Sequence, residues 1–490
     1  MVDSSRPSPA IGGGAPVRVL AIDQGTSGTK AVVVDDGAVV ASAEEPVRPA
    51  YLPDGRVEQD PARLLASVLD AGRRAVAEAG GSVDAVALAN QGETVLAWDP
   101  VTGEPLTTAI VWQDNRAESV CAELAEHRDR IAAATGLVLD PYFSAPKMAW
   151  IRRHLTRDGV VTTTDSWLLH ALTRELVTDV TTASRSLLLD LDTVTWSPDL
   201  LEVFDLGREV LPRLVACDEV VGTTRAFGAD VPVVGLMVDQ QAALLAQDCR
   251  AAGETKCTFG TGAFLLSATG ATPTRSGSGL TTSVASRLRG ETSYCLDGQV
   301  YTAASALRWL VGLGVIASSQ EVDDVADGSD DTVLFVPALA GLAAPWWRSD
   351  ATASLRGMTL STGRGAVVGA VLRGIAATVV DLLDVVASDL GRPVPRLRVD
   401  GGLTRSRALM QAQADLAQLP VDVYPSSDAT ALGAAAAAAI GLDPSCAVAD
   451  VVGGWTPAAT YEPQWSADRA ADHLGRFRDA VARDLEGARS

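Results

Sequence analysis

Two glycine-threonine turns constrain this chain more than any other feature. Asp23-Gln24-Gly25-Thr26-Ser27-Gly28-Thr29-Lys30 interrupts apolar runs at 17–22 and 31–34. More than two hundred residues later, Phe259-Gly260-Thr261-Gly262 interrupts runs at 257–258 and 263–266. Such a turn leaves backbone N–H groups uncovered by bulky side chains, adds hydroxyl donors, and suits an anion such as a phosphate chain. One turn of this kind is a weak signal. Two in one chain imply two related domains that clasp one nucleotide between them.

The 490 residues have room for two or more domains, each with its own core. A hydrophobic fraction of 47% is ordinary, and a mean hydropathy of +0.16 suits buried parallel strands. The net charge of −21 argues against nucleic acid or an anionic membrane as partner. It also requires that a polyphosphate be held locally, by amides, metal and a few cations. Cys121, Cys217, Cys249, Cys257, Cys295 and Cys446 show no C-x-x-C spacing and read as reduced thiols, and four scattered histidines give a zinc site little support. Residues 1–16, rich in Ser, Pro and Gly without an apolar core, read as a disordered arm. The longest apolar run, 431–442, is alanine-dominated and too short to span a bilayer. The expectation is a soluble, cytoplasmic protein.

Residues 17–40 read as three strands joined by tight turns at 25–28 and 35–37. A helix is expected over 61–79, with Asp60 as N-cap and Pro61 in its first turn. Further expectations are strands at 83–89 and 107–112, a helix over 114–134, and a helix over 242–253 ending in glycine. A second strand-turn-strand restarts at 255, and an amphipathic helix closes the chain at about 466–486. Strand clusters followed by alternating helices and strands imply an α/β layer fold. The boundaries are an arm at 1–16, domains at 17–250 and 251–445, and a tail at 446–490.

Ordered blocks across 17–442 then resemble a known family. They include Ile22-Asp23-Gln24-Gly25-Thr26-Ser27, Asn90-Gln91-Gly92-Glu93-Thr94, Val111-Trp112-Gln113-Asp114 and Asp140-Pro141-Tyr142-Phe143-Ser144. Thr181-Thr182-Ala183-Ser184-Arg185, Asp239-Gln240-Gln241, Phe259-Gly260-Thr261-Gly262 and Asp400-Gly401-Gly402 follow. The chain resembles the FGGY carbohydrate kinases, and their glycerol kinase branch in particular. The resemblance implies two actin-like (ribonuclease-H-like) ATPase domains, with ATP, Mg²⁺ and a polyol or sugar in the interdomain cleft. It also implies a homodimer or homotetramer.

Two carboxylates carry the expected chemistry. Asp23, at a strand end before a phosphate-type turn, suits Mg²⁺, or else caps its own turn. Asp239 reads either as a helix cap or, by resemblance, as the base that takes the proton of an incoming alcohol. The resemblance puts Thr26, Ser27, Gly28 and Lys30 around the phosphates, with Gly260 and Thr261 from the second turn. Ala304, Arg308, Gly402 and Ser406 fall near the base or ribose, although the glycerol kinases have Gly, Gln and Asn where Ala304, Arg308 and Ser406 stand. Gly92, Glu93, Trp112, Tyr142, Asp239, Gln240 and Phe264 match the polyol site. Gly92 replaces an Arg of that branch, which removes a fork of donors and opens volume for a longer polyol. The expected activity is phosphorylation of a terminal hydroxyl of glycerol or a related polyol. A ketose or other sugar kinase is the alternative within the family, and a non-catalytic actin-like ATP-binding protein the alternative outside it.

Overall fold

The computed structural model describes residues 17–328 and 331–487; the expected arm at 1–16 lies outside them. Strands β1 (Arg18–Gln24), β2 (Gly28–Asp35) and β3 (Ala38–Pro46) form the expected antiparallel meander. Helix α1 (Pro61–Glu78) follows, with the Asp60 carboxylate accepting from Ala62 N at 2.9 Å. Strand β4 (Ala85–Asn90) pairs parallel to β1, and β5 (Gly222–Thr224) lies antiparallel to β6 (Val231–Val238). The sheet order is β5-β6-β4-β1-β2-β3.

Helix α2 (Asp239–Ala246) leads into the second sheet, which repeats the pattern. Strands β7 (Thr255–Phe259), β8 (Ala263–Gly270), β9 (Thr281–Leu288) and β10 (Glu291–Val300) are antiparallel neighbours. Helices α3 (Ala304–Gly312) and α4 (Arg364–Leu390) precede β11 (Leu397–Asp400), which pairs parallel to β7. Helix α5 (Arg407–Ala417), β12 (Val421–Val423) and α6 (Ala429–Leu442) complete the repeat. In both sheets a first strand with an antiparallel partner on one side takes a parallel strand on the other. The two strand-turn-strand units are therefore structurally equivalent.

Along β1 successive residues enter opposite cores. Leu20 and Ile22 pack with Leu64 and Val68 of α1, whereas Val19 and Ala21 pack with Ala434 and Ala438 of α6. The alanine run thus closes a face of the first sheet, although it lies in the second half of the chain. It also packs on α2. Gly433 permits this crossing, because a Cβ there would lie 1.8 Å from the Ala242 carbonyl oxygen.

Several expectations need correction. The strand at 107–112 shortens to Ala109–Ile110. The helix at 114–134 becomes Glu118–Glu123, a 3₁₀ turn at Ala125–His127 and Arg128–Thr135. Asp114 accepts from Val57 N at 2.6 Å and from Arg116 N at 2.9 Å, a turn that delays the helix. The helix at 242–253 begins at Asp239 and ends at Ala246, because Asp248 is left-handed with φ 55°. The described residues after 446 are packed against both halves, with Val452 in the core beneath the first sheet. Ala459–Tyr461 (β13) extends the second sheet, and Phe477 of α7 (Ala467–Gly487) is buried in the core of the second domain. Helix α4, 27 residues with a mean hydropathy of 1.9 in its most apolar window, is long and apolar enough to cross a membrane, but 94% of that window is buried inside the protein. It is longer than the run at 431–442, and its interspersed Arg and Asp hide it from a search for unbroken apolar stretches.

Candidate active site

The first turn returns β1 into β2 so that Asp23 stands opposite Lys30 in the ladder. Gly25 N donates to Gly28 O at 3.0 Å and closes the turn. Gln59 Nε2 donates to the Thr26 carbonyl at 2.7 Å, and Trp112 Nε1 to the Thr26 hydroxyl at 2.8 Å. Two side chains thus pin the turn from outside and leave Ser27 exposed. A Cβ on Gly28 would lie 3.1 Å from the Glu45 carbonyl. The Lys30 ammonium pairs with Asp428, just before α6.

The second turn is anchored differently. Gly260 and Thr261 carbonyls accept from Ala304 N and Ala303 N, each at 3.1 Å, so the start of α3 docks on the turn. Thr261 and Arg308 are exposed, and Arg308 shares the face of Ala304 one helical turn earlier. Gly402 is open, whereas Gly401 has φ 94° and a Cβ there would lie 2.5 Å from the Phe259 carbonyl. Ser406 caps α5: its hydroxyl accepts from Leu409 N at 3.2 Å and donates to Asp323 at 2.6 Å. That hydroxyl is committed within the protein.

A cavity of about 290 Å³, its open mouth included, lies where the domains meet. Glu93, Tyr142, Asp239, Gln240 and Phe264, five of the residues matched to the polyol site, line it together. Trp112 flanks these aromatics edge-on, 5.5 Å from the Tyr142 ring and 6.1 Å from that of Phe264. Gly92 is not on the wall. A Cβ at Gly92 would lie 2.9 Å from a methyl of Val238, which does line the cavity. Val238 therefore fills part of the space that the glycine was expected to open.

Arg185, Val238, Asp297 and Gln299 also form the wall, and sequence reasoning had assigned them no role. The Arg185 guanidinium donates to Glu93 Oε1 at 2.5 Å and pairs with Asp297, which joins the two domains beneath the cavity. Burial raises the Glu93 carboxyl, and the Arg185 charge opposes that rise. Glu93 has φ 59°, a strained conformation for a residue with a long side chain. The Thr181–Arg185 block, already matched to the family, was the available signal for Arg185. Lys147 is wholly buried and donates to the carbonyls of Pro141, Tyr142 and Phe143 at 2.8, 2.5 and 2.7 Å, which fixes the Tyr142 loop.

Asp239 is the first residue of α2 and not its cap, because Val238 occupies the cap position. Its Oδ1 accepts from Gln240 N at 2.7 Å. Burial lifts its carboxyl above the ordinary value of 3.8, against the pull of the Gln240 amide and the Lys256 charge. The buried Lys256, another residue not anticipated, donates to Gln240 Oε1 at 2.7 Å and to the Thr258 hydroxyl at 2.8 Å. Thr258 in turn donates to Asp400 at 2.6 Å. Although Asp23 keeps some solvent contact, loss of water in the cleft and then the Asp239 charge push it up to about 7.

Two ribonuclease-H-like domains around a cleft lined by carboxylates, amides and aromatics define the actin-like class of nucleotide-handling proteins. The family models described as the FGGY family of carbohydrate kinases, N-terminal and C-terminal domains, match residues 18–246 and 255–442. This chain belongs to that family. It is 40% identical over 486 residues to a glycerol kinase of Aromatoleum aromaticum, covering 95% of this chain and 98% of the relative. It is 42% identical over 436 residues to a glycerol kinase of Gloeobacter violaceus, covering 86% and 88%. Plasmodium falciparum glycerol kinase, solved with ADP, superposes with a TM-score of 0.88 at 30% identity, covering 96% of this chain and 98% of that one.

Proposed function

We propose that the protein transfers the terminal phosphoryl group of ATP to a terminal hydroxyl of glycerol or a related short polyol. Asp239 carries this reading. It lies on the wall of a polar and aromatic cavity between two phosphate-type turns, with its carboxylate oriented by the Gln240 amide. An alcohol is a poor nucleophile, and a carboxylate of raised proton affinity is suited to accept its proton as the phosphoryl group arrives. Phe264 and Tyr142 wall the carbon chain, and Glu93, steadied by Arg185, accepts from a hydroxyl. Thr26, Ser27, Gly28, Gly260 and Thr261 cradle the phosphates, with Lys30 as the nearby cation. Ala304, Arg308 and Gly402 flank the nucleoside. Closure of the two domains excludes water, so that the polyol and not water receives the phosphate. The glycerol kinase relatives and the ADP held by the Plasmodium enzyme support this assignment.

The residues fit a magnesium ion. Burial, and then the Asp239 charge, push the Asp23 carboxyl up to about 7, and Lys30, itself paired with Asp428, offsets this only in part. Mg²⁺ is usually held by one or two carboxylates and substrate phosphates, not by a protein cage. Among the described residues no group of three or more His, Cys, Asp or Glu forms such a cage. Asp23 would hold the ion, whose charge would offset that of the phosphates.

A panel of polyols and sugars assayed for ADP release tests the activity, with Asp239→Asn as the control. The variant should lose about 10²–10⁴-fold in kcat, the range for a positioned acid or base, with ATP affinity nearly unchanged. Substantial turnover by the variant would remove Asp239 as the base.

A further inference from the structure

We propose that Gln299 and Gln241 form a hydroxyl subsite beyond a three-carbon acceptor, so that the preferred substrate is a linear polyol of at least four carbons. This deepens, and rests on, the kinase reading above. The register of β10 against β8 sets Gln299 opposite Phe264 and Asp297 opposite Leu266. Because side chains alternate along a strand, these four share one face, and all four line the cavity. Gly298 points the other way, where a Cβ would lie 2.8 Å from a Leu280 methyl.

Gln299 is 2% exposed. Its Nε2 donates to Asp297 Oδ1 at 2.5 Å, and that oxygen also accepts from the Thr281 hydroxyl at 2.7 Å. A carboxylate paired with Arg185 has only lone pairs to offer, so the amide must turn its nitrogen toward it. The Gln299 Oε1 is left buried with no hydrogen-bond partner. Gln241, 1% exposed, is placed similarly, though its partner is a hydroxyl and not a carboxylate. Its Nε2 donates to the Ser283 hydroxyl at 3.1 Å, and its Oε1 is likewise buried without a partner. A stranded buried acceptor is unfavourable unless a donor arrives, and an alcohol hydroxyl is such a donor.

The carboxylates and amides that line the cavity set the chain length. Glu93, Asp239, Gln241 and Gln299 each keep one oxygen outside the bonds described above, whereas the Asp297 oxygens are taken by Arg185, Thr281 and Gln299, and Gln240 Oε1 by Lys256. Glycerol has three hydroxyl hydrogens to donate; a tetritol has four.

The test compares glycerol, erythritol and xylitol as acceptors for the wild type, Gln299→Met and Gln241→Met. Quenching of tryptophan fluorescence by each polyol without ATP is measured alongside, since Trp112 flanks the cavity. The wild type should prefer erythritol to glycerol in kcat/KM. Either variant should lower the erythritol-to-glycerol ratio about tenfold, mostly through KM, the loss expected for one hydrogen bond. Preference for glycerol by the wild type, or ratios unmoved in both variants, overturns the proposal. If no polyol releases ADP, the kinase reading fails by itself. The titrations then decide the subsite: tighter binding of erythritol that weakens in the variants supports it, and equal binding of the two polyols overturns it. Two variants on different elements guard against one that fails to fold.

Discussion

At the scale of single residues, the acid at position 239 sets how the activity should depend on pH. The base must be ionised, and burial raises its proton affinity, so the protonated, inactive form persists above the ordinary aspartate value of 3.8. The acid limb of kcat/KM, which reports the free enzyme, should therefore lie above that pH. The Lys256 charge opposes the rise, so Lys256→Met should move the limb to still higher pH. A pH profile of the two proteins checks this; a limb that stays in place or moves down contradicts it. Glu93, Tyr142 and Asp239, singled out because each falls in a short block of matching residue types, are brought together on one cavity wall. Lys256, Asp297 and Gln299 were not assigned, because a lone charge or amide in an apolar strand has no meaning until its partner is known.

At the scale of elements, the position of Asp239 depends on how closely α2 and α6 approach. Gly433 and the alanines that follow bring the two backbones together, and a methyl group at Gly433 would meet the Ala242 carbonyl oxygen at 1.8 Å. Backbone cannot swing aside as a side chain can. Gly433→Ala should cost about 3 kcal/mol, the upper end for overpacking, and should lower kcat because α2 carries Asp239, the proposed base. Thermal melting with parallel kinetics tests this, and an unchanged Tm would contradict the packing account. The alanine run read correctly as a close-packed helix, but its site of packing did not. Residue spacing sets the period of a helix, whereas the sheet it covers is chosen by the whole chain. The short helices between Glu118 and Thr135 were missed for a local reason. Asp114 is held in a turn by Val57 and Arg116, a contact made across 57 residues in the first case.

At the scale of the molecule, Arg185 ties the halves together. Its guanidinium engages Glu93 from the first domain and Asp297 from the second, with the rings of Tyr142 and Phe143 about it. Arg185→Met would leave two carboxylates buried without their cation, a change that costs about 3–5 kcal/mol. It should also raise the acceptor KM more than the KM for ATP, because Glu93 and Asp297 both border the cavity proposed for the acceptor. A melting curve and the two KM values check this; equal changes in both KM values would indicate a general loss of structure.

The amino-acid sequence alone determined the repeated α/β architecture and its two strand-turn-strand units, because these depend on local spacing and on residue types that few other structures require. Only the tertiary structure decided what the cavity between the domains is made of. Its second wall comes from strand register and from an ion pair between residues 112 positions apart, and contacts of that span are set by the packing of two sheets and not by any local preference.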